Sequence, residues 1–155
     1  MNGLFGIPTR REFLALGAGA AAALAASPSN ATPEAMEKAI REYTGGISPM
    51  PGRVKIDIPV LLESGSAVPT TVTCESPMTA ADHVKEIAIF NERNPLPNVA
   101  IFHFSSKSGR AFAATRIRLG DSQKVVAIAR MSDGSLYTDA IEVVVTLPAC
   151  SEDFG

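Results

Sequence analysis

The stretch VKIDIPVLLESGSAVPTTVTC, residues 54–74, decides the fold class. Val54, Ile56, Ile58 and Val60 alternate with Lys55 and Asp57, so every second side chain falls on one face, the period of a strand and not of a helix. Ser64-Gly65-Ser66 marks a turn, after which Val68, Thr70, Val72 and Cys74 share one face of a second strand. Strand-like stretches recur over residues 84–90, 99–104, 112–119, 124–131 and 137–147, which predicts about seven strands. Asn94-Pro95-Leu96-Pro97, Ser108-Gly109, Gly120-Asp121 and Ser132-Asp133-Gly134 between them all favour reversals. No second helical pattern of useful length separates the strands. Parallel crossover units are therefore disfavoured, and the expected fold is mainly β, an immunoglobulin-like antiparallel sandwich.

Upstream of residue 54 the period is 3.6. Thr32-Pro33-Glu34 supplies an N-cap, a proline for the first helical position and an acid in the first turn, and Gly45-Gly46 supplies the stop. One helix over residues 33–44 is predicted, with Met36, Ile40 and Tyr43 on a single apolar stripe, a lid or a brace for the sheet that follows.

Residues 1–31 read differently from the rest. Arg10 and Arg11 precede Glu12-Phe13-Leu14 and an apolar run to Ala26 that is too short and too rich in Ala and Gly to span a bilayer stably. Paired arginines followed by Phe-Leu form the twin-arginine export pattern, a receptor-read address for carrying folded proteins to the periplasm. Small residues permit cleavage after Ala25 or after Ala31. The chain is thus expected to comprise a signal peptide (1–31), a sandwich domain (32–147) and a C-terminal arm (148–155). With 155 residues, 46% of them hydrophobic and 19% charged, one core is the default; a formal charge of -2 and the lack of a basic stripe exclude nucleic acid as an expected partner.

Local chemistry is sparse. Only His83 and His103 could serve as bases, and neither sits in a motif; His103 alternates with Phe102 and Phe104 and so belongs on an outer face. No His or Cys spacing supplies the three or four ligands of a metal site. Asp57, Glu63, Glu75, Glu86 and Glu142 are scattered where carboxylates usually keep a surface wet. The domain is expected to have no active site and no cofactor of its own. Two cysteines remain. Cys74 has the parity of the core-facing valines, and Cys150 lies three residues past Leu147. In an oxidising compartment they are a candidate disulfide pair, Cys74–Cys150; the alternative is an exposed Cys150 thiol on a projecting arm, flanked by Pro148, Ala149 and Ser151.

The blocks Val68-Pro69-Thr70-Thr71-Val72, Glu75-Ser76-Pro77-Met78-Thr79, Asn94-Pro95-Leu96-Pro97, Phe102-His103-Phe104, Thr115-Arg116-Ile117-Arg118-Leu119 and Met131-Ser132-Asp133-Gly134-Ser135 resemble, in that order, the SoxY family of sulfur carriers in bacterial thiosulfate oxidation. The resemblance implies a sandwich that pairs with a SoxZ-like subunit as a heterodimer. It implies sulfur intermediates held covalently on Cys150 while a c-type cytochrome, a di-manganese hydrolase and a molybdenum and haem enzyme act on them. In that family the cysteine sits in a Gly-Gly-Cys-Gly-Gly terminus. Here Pro148-Ala149 and Ser151-Glu152-Asp153-Phe154-Gly155 flank it, a stiffer and more acidic arm, and Cys74 is an additional cysteine. A non-carrying paralogue with Cys150 in a disulfide is the competing expectation.

Overall fold

Alternation along the chain becomes two facing sheets with a helix laid across the back of the larger one. The computed structural model describes residues 32–147. It has a helix, α1 (Pro33–Thr44), followed by nine strands: β1 (Met50–Pro51), β2 (Val54–Asp57), β3 (Leu61–Ser64), β4 (Val68–Cys74), β5 (Val84–Asn91), β6 (Asn98–His103), β7 (Ala111–Ile117), β8 (Gln123–Met131) and β9 (Leu136–Leu147). The larger sheet runs β1-β9-β8-β5-β6 with β3 also paired to β9, and the smaller runs β2-β4-β7.

The sandwich expected from the period is present, with two short strands beyond the seven foreseen. All five long pairings are antiparallel. The two short strands, β1 and β3, instead join β9 in parallel. The split of residues 54–60 explains the difference. Pro59 has no N–H to continue a ladder, so β2 stops on the small sheet and the chain crosses to the large one, where the Val144 N–H donates to the Val60 carbonyl at 2.8 Å. Val60, expected on the core face, is consequently 60% exposed, whereas Val54, Ile56 and Ile58 are buried. A further stitch joins the sheets: the Ile56 N–H donates to Asp139 Oδ2 at 3.0 Å.

The core lies between the sheets. Val68, Val72, Ile87, Ile89, Leu119, Val125 and Val143 fill it, each at 1% exposure or less. Strand β5 is buried on both faces, because its alternate residues Ala88 and Phe90 pack outward beneath α1 with Met36, Val126, Ile128 and Leu136. The helix is therefore a brace. Thr32 Oγ1 caps it by accepting from the Ala35 N–H at 3.2 Å, and Gly45 ends it at φ 67°, a left-handed turn that glycine enters without a Cβ clash. The predicted stripe of Met36, Ile40 and Tyr43 is the face that meets the sheet, Tyr43 standing edge-on to Phe90 at 5.6 Å between ring centres.

Candidate functional site

Cys150, Pro148, Ala149 and Ser151 lie outside the described residues, as do Arg10 and Arg11; the site is approached through the strand that leads to it. Strand β9 is held along its last residues. Thr146 Oγ1 donates to the Leu62 and Glu63 carbonyls (3.1 and 3.0 Å), and the Val145 N–H donates to Ser122 Oγ at 2.9 Å. Its final residue Leu147 pairs with Ser64. Beside that pair, Gly65 lies against the Leu119 carbonyl oxygen so closely that a Cβ would collide with it, and the Leu119 N–H donates to the Gly65 carbonyl at 2.8 Å. Strand β9 thus ends at a fixed point at one end of the sandwich.

Cys74 belongs to the opposite end. Strand β4 begins at Val68, close in sequence to Ser64, and its six residue steps to Cys74 carry the chain roughly 20 Å along the sheet. Cys74 pairs with Val54 on one side and Ala111 on the other and is buried. Burial pushes its thiol up to about 11, against a smaller downward pull from Arg53. Such a thiol stays protonated at neutral pH and packs as a small hydrophobe, as its parity in the sequence indicated.

The two histidines are separate. His83 Nδ1 stands 3.0 Å from the Thr79 carbonyl, and His103 is exposed on β6 as expected, its Nδ1 3.4 Å from Glu86 Oε1. Among the described residues no group of three His, Cys, Asp or Glu could hold a metal ion.

The pattern reading missed one polar cluster. Glu86, taken as a surface-wetting carboxylate, accepts from the Tyr43 hydroxyl at 3.1 Å and pairs with Arg130 Nε at 3.5 Å. Arg130 also donates to the Tyr43 carbonyl at 2.6 Å and lies 4.8 Å over the Tyr43 ring. Burial, then the Glu86 charge, pushes the Tyr43 hydroxyl up to about 12. The cluster fastens the end of α1 to the large sheet. Glu86 is cross-strand partner of both Arg130 and His103, a juxtaposition that needs strand register and that no local spacing announces.

A family model described as sulfur oxidation protein SoxY matches residues 40–150. Among solved structures, the sulfur carrier protein SoxY from Chlorobium limicola f thiosulfatophilum is 26% identical with a TM-score of 0.61, the match covering 75% of this chain and 100% of that one. A superoxide reductase (neelaredoxin) from Ignicoccus hospitalis matches with a TM-score of 0.54 at 17% identity, over 76% of this chain and 95% of that one. A putative superoxide reductase from Thermotoga maritima matches at 0.52 and 18%, over 59% and 84%. These two likenesses concern the fold alone. No curated protein matches the chain. The family match spans most of the chain, including every β-strand described above and the cysteine beyond them, so this chain belongs to the SoxY family of sulfur oxidation proteins.

Proposed function

We propose that the protein is a periplasmic sulfur carrier whose Cys150 thiol holds thiosulfate-derived intermediates while separate enzymes process them. The observation that carries this reading is the extent of the family match, which runs through the whole sandwich to Cys150 itself. The clamped end of β9 supports it, since three further residues reach roughly 10 Å from Leu147 when extended, enough to present a sulfur to another protein's cleft. The same reach is short of the roughly 20 Å that separates the ends of β4, which favours a free Cys150 over a Cys74–Cys150 bridge.

The chemistry asks little of the sandwich. Joining a thiolate to the sulfane sulfur of thiosulfate forms a sulfur–sulfur bond and releases two electrons, which a c-type cytochrome would accept. Hydrolysis of the resulting thiosulfonate adds water across the bond to the sulfonate, releases sulfate and two protons, and leaves a persulfide on the cysteine. A covalent tether keeps each intermediate at high local concentration for the next enzyme. The di-manganese hydrolase, the molybdenum and haem enzyme and a SoxZ-like partner subunit belong to this reading. So does export through the Arg10–Arg11 signal.

The acidic flank Glu152-Asp153 favours a second reading, because carboxylates beside a thiol disfavour the reactive thiolate. In it the chain is a non-carrying paralogue with Cys150 bonded to another chain. Mass spectrometry of the exported protein from cells grown on thiosulfate decides between them. Sulfur or thiosulfate adducts on Cys150 are expected, and a Cys150 found only in a disulfide would overturn the carrier reading.

A further inference from the structure

The small sheet turns one face to solvent, and no described helix covers it. Strand β4 lies between β2 and β7, and cross-strand partners stand on the same side of a sheet. Lys55, Thr73 and Phe112 form one outward row, and Asp57, Thr71 and Ala114 the next. Arg116 stands opposite Pro69 in a third. The residues between them, such as Ile56, Val72 and Ala113, point into the core. Arg110 and Arg118 extend the β7 side at its two ends, Arg110 lying 4.4 Å over the ring of Phe112, which is 37% exposed.

Lys55, Arg110, Arg116 and Arg118 are exposed, and none has an ion-pair partner among the described residues. The carboxylates of this face are Asp57 and, one step past Cys74 in the parity of Thr73, Glu75. Residues 32–147 hold twelve Lys and Arg against thirteen Asp and Glu, so a third of the cations stand here with two carboxylates, and the rest of the domain is acidic. Strand pairing does the gathering, since in the sequence these cations are spread over β2 and both flanks of β7. Between them the floor is built of short side chains, and an open groove of about 390 Å³ runs over Pro69, Thr71, Ala114 and Arg116.

A shallow floor edged by unpaired cations suits a reversible protein contact. Permanent interfaces are mainly apolar, whereas complementary charge speeds encounter and selects the partner. Four cations are fewer than the roughly six to ten phosphate contacts that hold a nucleic acid. A second copy placed symmetrically on this face would set the same cations against one another. The remaining occupant is a partner that offers carboxylates. Arg118 also precedes Leu119, whose N–H donates to the Gly65 carbonyl next to Ser64, the strand partner of Leu147. A protein seated on the arginine end of the face therefore stands beside the end of β9.

We propose that the outward face of the small sheet is the docking surface for a transient protein partner whose own contact surface is acidic, with carboxylates on Arg116, Arg118 and Lys55 and an apolar side chain against Phe112. The proposal deepens the carrier reading, and it rests on that reading only for the partner being one of the enzymes that act on the cargo.

The test places the photocrosslinking residue p-benzoylphenylalanine at position 114, in place of the exposed Ala114, in the full-length protein within cells grown on thiosulfate. Irradiation is expected to join it to a protein whose crosslinked region is rich in Asp and Glu. Arg116→Glu with Arg118→Glu is expected to lower the yield about tenfold, as reversal of two exposed charge pairs does, with the melting temperature unchanged. Lys in place of the partner's carboxylates at the crosslinked region should restore the yield with the reversed chain. No crosslink, a yield that survives the reversal, or a crosslink to a second copy, a nucleic acid or a lipid overturns the proposal. Cys150→Ser is expected to leave the yield as it was, because the contact is with the sheet; a yield lost with the thiol would show that the thiol recruits the partner, and would overturn the proposal too. The crosslink needs no sulfur cargo, so it fails independently of the adduct test on Cys150.

Discussion

At Gly65 a single hydrogen atom lets the turn after β3 pass under Leu119. A methyl group there would strike the Leu119 carbonyl oxygen and come within 3.2 Å of Val145 Cγ1, and the backbone is held by the Leu119–Gly65 hydrogen bond. Gly65→Ala is expected to cost about 1–3 kcal/mol, as overpacking of a filled site does, seen as a lower urea midpoint with an unchanged slope. The two cysteines make a contrasting pair. Cys74→Ser puts a hydroxyl among apolar partners, with the shorter Oγ reaching less well toward the Glu75 carbonyl that lies 3.9 Å from Sγ, and should cost about 1–3 kcal/mol, or roughly 4 °C in melting temperature per kcal/mol, while sparing thiosulfate-dependent growth. Cys150→Ser is expected to abolish that growth and leave the melting temperature within about 1 °C, because a residue past the last strand holds little of the core. Growth that persists in the Cys150 variant sinks the carrier reading.

Among the elements, β9 and α1 carry the architecture. Strand β9 takes β8 on one edge and both β1 and β3 on the other, so the strand that ends three residues before Cys150 is paired along both edges. The helix is attached more locally. Its apolar contact centres on Phe90, and its polar contact is the Tyr43–Glu86–Arg130 cluster. Removing the Tyr43 hydroxyl by Tyr43→Phe should cost about 0.5–1.5 kcal/mol, the net value of one such hydrogen bond. Phe90→Ala should cost about 3–5 kcal/mol and accelerate amide exchange across residues 33–44 before the sheets open, because it removes the platform on which α1 rests. Uniform acceleration across all strands would show instead that helix and sandwich unfold as one unit.

For the whole molecule, two acids weakened by folding make stability fall at alkaline pH. Cys74 moves from 9.0 to about 11 and Tyr43 from 10.0 to about 12 on folding. Both groups are neutral in the folded state and ionise more readily when the chain unfolds. The stability they contribute is complete below pH 9 and is lost as pH rises through about 9–12. Melting temperature is expected to fall over that window, and Cys74→Ala should flatten its lower half. On the acid side the signs reverse. Glu34, held low by a backbone hydrogen bond and then by Thr32, and Asp133, held low by Ser135, contribute stability that is lost as pH falls through the carboxylate range. Both are fully exposed, so that loss is small.

What the linear pattern determined on its own was everything set by neighbours a few residues apart. The Thr32 cap, the Gly45 stop, the Met36–Ile40–Tyr43 stripe and the inward parity of Val68, Val72 and Cys74 follow from helix and strand geometry, and so did the sandwich class. Tertiary structure alone decided what depends on which strands become neighbours. Pairing of Leu61 with Val144 turned Val60 outward and added parallel partners to an antiparallel frame. The register of β5 against β6 and β8 made Glu86 a fastening for the helix. The course of β4 set Cys74 and the arm root at opposite ends. The physical reason is that side-chain direction repeats within a strand and is therefore local, whereas pairing and register are chosen by burial of the whole core.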